Sequence, residues 1–214
     1  MLRTLLTLSL IGLLAAGLLS GVHLATRDRI ASEQQRQALA TLNQLVPESG
    51  YDNELIEDRF SAWISGLSAP STIYRARMDR EPVALLADVT TPDGYSGDIR
   101  LLIGLTPDGE VIGVRILEHR ETPGLGDQIE LKRSNWLRQF NDKSLGAPPA
   151  QAWASDRRGG EFETLSSATI TSSAVIEAVR NVLAWYSANR DNAFEIKTEA
   201  TSASNYESGG IGNS

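Results

Sequence analysis

A run of small hydroxyl residues near the end of the chain is the segment best suited to hold a ligand. It extends from Ser166 to Ser173, reads Ser-Ser-Ala-Thr-Ile-Thr-Ser-Ser, and leads directly into an apolar, helix-like stretch. At the start of a helix, unpaired N–H donors and the helix dipole favour an anion, so this run could hold a phosphate. The same pattern suits an ordinary helix start in which Thr171 or Ser172 is the N-cap residue. The two interpretations are compatible.

A second candidate segment, residues 121–126, follows a predicted strand and reads Glu-Thr-Pro-Gly-Leu-Gly. Its two glycines, Gly124 and Gly126, would let the backbone approach a ligand closely. The side chains of Glu121 and Thr122 can orient the polar edges of that ligand. A plain Pro-Gly turn at the end of a strand explains the segment equally well.

The composition excludes several other kinds of chemistry. The chain has 214 residues, a net charge of −7 and no cysteine. An acidic chain lacks the basic face that nucleic acids require, so we expect no nucleic-acid partner. Without cysteine there can be no disulfide, no thiolate zinc site and no cysteine-held iron–sulfur cluster. The two histidines, His23 and His119, cannot build a multi-histidine metal site, so a redox function would require an organic cofactor.

The N-terminal region predicts a membrane anchor. Residues Leu5–Leu24 carry no charge, and a helix of this length covers about 30 Å, the thickness of a hydrocarbon core. A cleaved signal peptide is the alternative, but the apolar run is long and no small-x-small cleavage site follows it. We therefore expect a single transmembrane helix within residues 1–26. The flanking arginines, Arg3, Arg27 and Arg29, leave its orientation open.

The middle of the chain predicts an antiparallel sheet. Four segments alternate apolar and polar residues as strands do: Ser71–Met78, Val83–Thr90, Asp98–Leu105 and Glu110–His119. Turn residues separate them, and the Thr-Pro-Asp-Gly sequence before the fourth segment predicts a hairpin. The predicted fold class is therefore α+β, an antiparallel sheet with helices packed at one side.

Helical patterns flank these strands. Apolar residues at near-helical spacing predict a juxtamembrane helix over residues 27–47, a short helix at Phe60, Trp63 and Ile64, and a helical piece around Asn135–Phe140.

The C-terminal part of the chain predicts one longer helix and a tail. The helix is predicted over residues 172–188, which carry an apolar stripe at helical spacing. Residues 198–214, rich in Ser, Gly and Asn, predict a disordered tail. Residues 48–197 are then the main domain.

Together these motifs resemble the RnfG family, a component of the Rnf electron-transport complex that is related to a flavin-bearing component of the sodium-translocating NADH:quinone oxidoreductase. The resemblance covers nearly the whole chain, including the N-terminal span and the Gly-Tyr-Ser-Gly-Asp-Ile sequence at residues 94–99. Its most specific feature is the pairing of the 121–126 loop with the distant hydroxyl run. The family usually has Gly where this chain has Ser167, and Asp where it has Glu163.

The resemblance implies a covalent flavin. In that family a separate flavin transferase joins FMN, through its phosphate, to the threonine of a Ser-Gly-Ala-Thr motif, and the matching residue here is Thr169. The isoalloxazine ring would lie over the sheet or against the 121–126 loop. The other cofactor-binding residues that the resemblance implies are Ser166, Ser167, Ala168, Ser172, Glu121, Thr122, Gly124, Leu125 and Gly126. It implies no catalytic residue and no metal ligand.

The resemblance also implies a function. The chain would be a single-pass flavoprotein of a bacterial inner membrane, with its soluble domain on the periplasmic side. It would relay electrons among the other membrane and redox subunits of an ion-translocating ferredoxin:NAD oxidoreductase complex, without independent catalysis. The alternatives are the corresponding flavoprotein of the related quinone oxidoreductase and a non-redox, membrane-anchored binding or assembly domain.

Overall fold

A computed structural model describes residues 35–195 of the chain, together with Gly12 and Glu33. The predicted membrane span, apart from Gly12, and the predicted tail lie outside the described residues. None of the helices in the described part is both long and apolar enough to cross a bilayer. Within the predicted juxtamembrane helix, residues 35–42 are helical and form α1.

Five antiparallel strands form one sheet in the order β1-β2-β3-β4-β5. They are β1 (Arg59–Ala62), β2 (Ser71–Met78), β3 (Glu81–Gly94), β4 (Gly97–Leu105) and β5 (Val111–Glu118). Each strand pairs with the next one along the chain, so the sheet is a meander. The four predicted strands and the antiparallel arrangement are therefore confirmed. Strand β3 is longer than predicted, because it continues to Gly94 before the chain turns.

The short helix predicted at Phe60, Trp63 and Ile64 is wrong. Phe60 belongs to β1, where its backbone lies opposite Ile73 of β2. The side chains of Phe60 and Ile64 are buried, whereas that of Trp63 is 72% exposed. The three residues share helical spacing by coincidence. Pairing with β2 fixes the backbone as a strand, a tertiary contact that local periodicity does not reveal.

A long helix, α2 (Thr169–Ala193), packs against β3 and β4. The apolar stripe of the helix is buried in the main core, against the inward side chains of the sheet. The stripe consists of Val175, Ala178, Val179, Val182 and Tyr186. The predicted helical piece before it is a 3-10 helix, Trp136–Phe140. The α+β class is confirmed. In this arrangement the start of α2 lies near the C-terminal end of β5.

An aromatic cluster anchors the chain between β5 and α2. Trp153 lies 4.4 Å from Phe162 and 6.4 Å from Phe140, measured between ring centroids. All three side chains are nearly inaccessible to solvent. This packing holds the segment that leads into α2 against the body of the domain, because a change of shape in a close-packed cluster is costly.

Candidate functional site

The two candidate segments lie side by side around one cavity of about 410 Å³. The loop after β5 forms one wall, and the start of α2 forms another. The residues that line it are Tyr95, Glu121, Thr122, Leu125, Gly126, Ser166, Ser167, Ala168, Thr169, Ile170 and Thr171. Eight of the ten predicted cofactor-binding residues thus share one cavity, and the remaining two, Gly124 and Ser172, do not line it.

Glu121 connects the loop to α2 and to the β3–β4 turn. Its side chain is buried, and its Oε2 atom accepts a hydrogen bond from the Thr171 hydroxyl. Its Oε1 atom accepts one from the backbone N–H of Ser96, at 2.9 Å. A carboxylate is favourable in the first turn of a helix, where the dipole is positive. Glu121 therefore fixes the relative position of the cavity walls, with both oxygens already engaged.

The two glycines of the loop are needed for different reasons. A Cβ atom at Gly126 would lie 2.7 Å from the Glu121 Cβ, so a side chain there would displace the carboxylate that holds the walls together. Gly124 has a φ of +78°, which favours glycine, and its N–H donates to the Asp127 carboxylate at 2.8 Å. Thr122 closes the turn, because its carbonyl accepts from the N–H of Gly126 at 2.9 Å.

Helix α2 begins earlier than predicted, and the predicted N-cap is wrong. Its first residue is Thr169, and Ala168 is the N-cap, with no side-chain cap hydrogen bond. Thr171 cannot be the cap because it lies inside the helix and donates to Glu121. Ser172 also lies inside and donates to the carbonyl of Ala168 at 2.8 Å. No side chain caps this end, so the first amides of the helix remain available as donors.

Thr169 is half-buried at the edge of the cavity, and Ser166 and Ser167 beside it are exposed. Among the described residues other than glycine, only Asp79, Arg80 and Asp142 have a positive φ. Ser167 therefore occupies ordinary backbone space, and its hydroxyl lies 3.5 Å from the carbonyl oxygen of Leu125.

Glu163, the other residue that differs from the family pattern, does not line the cavity. Its side chain is exposed, and its backbone is held by Gln139 and Trp136. A glutamate in place of the aspartate that the family usually has therefore leaves the cavity walls undisturbed.

Exposed apolar side chains gather around the cavity. Tyr95 is 69% exposed, Ile170 55% and Leu125 47%, and all three line it. Exposed large apolar groups that cluster in this way mark a surface that a ligand or a partner covers. The only carboxylate in the described lining is Glu121, which is already engaged. The arrangement is therefore suited to holding an aromatic cofactor rather than to acid–base catalysis.

His119 lies behind Glu121 and supports it from outside the cavity. Its Nδ1 atom accepts from the backbone N–H of Glu121 at 3.0 Å, so the ring proton lies on Nε2, which is 2.9 Å from Glu130 Oε1. The hydrogen bond from Lys132 is the main cause that lowers the pKa of the Glu130 carboxyl, and the one from His119 adds to it. The carboxylate beside His119 is thus that of Glu130.

Sequence reasoning did not identify Tyr95, Ile170 and Thr171 as site residues. Tyr95 occupies the β3–β4 turn, within the Gly-Tyr-Ser-Gly sequence, and an aromatic side chain on an exposed turn was the available signal. Ile170 lies outside the apolar stripe of α2, and its side chain is exposed. Thr171 was predicted only as a possible N-cap, because its partner Glu121 is 50 residues away.

Comparison with known proteins gives a consistent result. Residues 94–184 match the family model of the FMN-binding domain, and residues 1–45 match that of the RnfG N-terminal region. The first match contains every residue that lines the cavity.

Three similar relatives are each named as the G subunit of an ion-translocating oxidoreductase complex. The protein of Pseudoalteromonas atlantica is 40% identical over 200 residues, which cover 92% of this chain and 93% of the relative. That of Pseudomonas aeruginosa is 41% identical over 194 residues, covering 89% and 91%. That of Shewanella baltica is 38% identical over 192 residues, covering 88% and 91%.

Proposed function

Because the chain belongs to the RnfG family of ion-translocating oxidoreductase complexes, we propose that it is a membrane-anchored flavoprotein whose FMN is joined to Thr169 as a phosphoester. Its FMN-binding domain covers residues 94–184. The observation that carries the proposal is the place of Thr169, which lies at the uncapped start of α2 and on the edge of the apolar-rimmed cavity.

The residues present fit FMN. The cavity lies within the range of about 300–1,000 Å³ that is usual for small-molecule sites. The exposed side chains of Tyr95, Leu125 and Ile170 offer apolar surface to the isoalloxazine ring, and the free amides at the start of α2 offer donors to the phosphate. Bound FMN would supply a centre that takes up and releases electrons.

The protein's own residues position the cofactor and do not react with a substrate. The hydrogen bonds of Glu121 to Thr171 and Ser96 keep the two walls at a fixed separation. Gly126 lets the carboxylate pack directly against the loop backbone. A covalent bond at Thr169 would keep the cofactor in place through repeated oxidation and reduction. The protein therefore serves as an electron relay within its complex.

The partners in this proposal are the other membrane and redox subunits of the complex and a flavin transferase that forms the bond. The protein would lie in a bacterial inner membrane, with the FMN-binding domain on the periplasmic side. The match of residues 1–45 to the RnfG N-terminal region favours an Rnf-type complex over the related quinone oxidoreductase. The FMN-binding domain argues against a purely non-redox assembly role.

The proposal is tested by producing the full chain together with a flavin transferase, denaturing it and recording flavin fluorescence on a gel. We expect a fluorescent band for the wild type and for the control variant Ser167→Ala, which removes a neighbouring hydroxyl. Thr169→Ala should give a dark band. A dark wild-type band would contradict a covalent flavin, and a fluorescent Thr169→Ala band would contradict the acceptor.

A further inference from the structure

A second cavity, of about 340 Å³, also reaches Thr169. Its walls have a different chemistry from those of the first, because two arginines, Arg157 and Arg158, and the hydroxyl residues Ser155 and Ser173 line it. Ser173 lies four residues after Thr169, so the two face the same side of α2. Thr169 thus lies where a mainly apolar cavity and a polar, charged cavity meet.

The segment that carries the arginines is held rigidly. Arg157 and Arg158 lie in a 3-10 turn, Asp156–Arg158, which ends at Gly159 with a φ of +82°. The Asp156 carboxylate accepts from the Thr164 hydroxyl at 2.7 Å and from the Arg157 N–H at 2.8 Å. The backbone N–H of Asp156 donates to the Phe162 carbonyl at 2.8 Å, which ties the turn to the aromatic cluster. The arginines are therefore presented to the cavity by a fixed backbone.

Ser155 provides an independent sign of a ligand. Its side chain is only 2% exposed, and within the described residues its Oγ atom has no hydrogen-bond partner. Buried hydroxyl groups nearly always have a partner, and this one lines the cavity. An oxygen atom of a bound group placed in the cavity would accept its hydrogen bond.

The charges around the cavity are mixed, with two arginines and two acidic residues in the lining. The acidic residues are Asp93 and Glu177. Glu177 has its own partner on α2, since its Oε1 atom lies 3.5 Å from the Arg180 guanidinium. Its contact with Arg158 is long, 4.0 Å, and both side chains are largely exposed. An anion in the cavity can therefore engage Arg158 without leaving Glu177 unpaired.

We propose that this second cavity is the phosphate subsite of the flavin, in which Arg157 and Arg158 neutralise the phosphoester on Thr169 and the Ser155 hydroxyl donates to it. A phosphate joined to both threonine and ribityl keeps two non-bridging oxygens, which match the paired N–H donors of a guanidinium. With the phosphate beside the two arginines, the isoalloxazine ring extends into the apolar-rimmed cavity. This inference rests on the proposed covalent FMN.

Solid-state NMR on the flavin-loaded full chain tests the subsite. The protein is labelled with 13C and 15N only in arginine, and dephasing of guanidinium nitrogens by 31P selects the arginines within hydrogen-bonding range of the phosphorus. We expect dephased signals from Arg157 and Arg158. They are assigned by 13C–15N correlation to neighbouring labelled atoms. Each of the variants Arg157→Lys and Arg158→Lys should lose the signal of the arginine that it replaces. The matched control is Arg180→Lys, at the neighbouring arginine that does not line the cavity, and it should leave the dephased signals unchanged.

The outcomes separate the inference from the proposal on which it rests. A wild-type protein that contains no protein-bound phosphorus would contradict the covalent flavin itself. A wild-type protein that shows the phosphorus signal but no dephased arginine would overturn the subsite alone. Two dephased arginine signals that both remain in each single lysine variant, or a dephased signal that vanishes in Arg180→Lys, would also overturn it, because another arginine would then hold the phosphate.

Discussion

The two ends of α2 differ in how their polar groups are satisfied. At the C-terminal end the protein supplies the partners: the Tyr186 hydroxyl donates to the Pro107 carbonyl at 2.9 Å, and Arg190 contacts Asp108 at 2.6 Å. The Arg77 guanidinium donates to the carbonyl of Phe194, just after the helix. At the N-terminal end no side chain caps the helix, and Ile170 is exposed beside the cavity.

The C-terminal end of α2 is held by the protein's own side chains, whereas the N-terminal end keeps unpaired backbone donors. A helix end leaves several backbone groups unpaired, and a protein that needs only stability satisfies them with its own side chains. The C-terminal end, called the closed end below, follows that rule at the Phe194 carbonyl, which accepts from the Arg77 guanidinium. The N-terminal end, called the open end below, departs from it next to Thr169, where no side-chain cap hydrogen bond is made; such a helix start favours an anion. Variants that change one end at a time test this difference.

The largest effect is expected from Tyr186→Ala at the closed end. Tyr186 is 2% exposed, and removing a buried aromatic ring costs about 3–5 kcal/mol of unfolding free energy. The matched variant Tyr186→Phe keeps the ring and loses only the bond to Pro107, which should cost about 1 kcal/mol. Urea unfolding measures both. A loss below about 1 kcal/mol for Tyr186→Ala would show that this end is not a structural anchor.

An intermediate effect is expected from Thr171→Val near the open end. The change keeps the shape of the buried side chain and removes its hydrogen bond to Glu121, at a cost of about 1.5–3 kcal/mol. Thr171→Ser is the control, because it keeps the hydroxyl. Both variants, and Thr171→Ala, should retain covalent flavin, since Thr171 is not the acceptor. Equal stability of the valine and serine variants, measured by urea unfolding, would mean that the link to Glu121 does not hold the walls.

The smallest effect is a pH dependence at the closed end. Burial raises the pKa of the Tyr186 phenol above its ordinary value of 10.0. The folded protein then holds this proton more tightly than the unfolded chain, so the contribution is complete below pH 10 and is lost as the pH rises through the folded pKa. The unfolding free energy of the wild type should therefore fall more steeply between pH 9 and pH 11 than that of Tyr186→Phe. Parallel slopes would contradict the raised pKa.

The sheet and the main helix could be predicted from the sequence because their signals are local. The strands β2 to β5 alternate apolar and polar residues, and the stripe from Val175 to Tyr186 has helical spacing. The strand β1 was mistaken for a helix because it has only four residues and its conformation depends on pairing with β2. Short edge segments carry too few residues for a periodic signal.

The candidate site was predictable in part, for a related reason. The motifs around Thr169 and Glu121 were visible as separate loops, and the resemblance to a known family joined them. The start of α2 was misplaced because Thr171 looks like a cap in sequence. Its hydroxyl instead bonds to a carboxylate 50 residues away. The second cavity, at Arg157, could not be predicted, because its walls come from separate parts of the chain.

We propose that the open end of α2 carries a covalent flavin on Thr169, and peptide mapping of the intact wild-type protein is the decisive test. We expect the protein to be heavier than its sequence by one FMN less one water, because a phosphoester forms with loss of water. Tandem mass spectrometry should place this mass on Thr169. The same mass on Ser166, Ser167, Thr171, Ser172 or Ser173, or an unmodified protein from cells that make flavin transferase, would contradict the account.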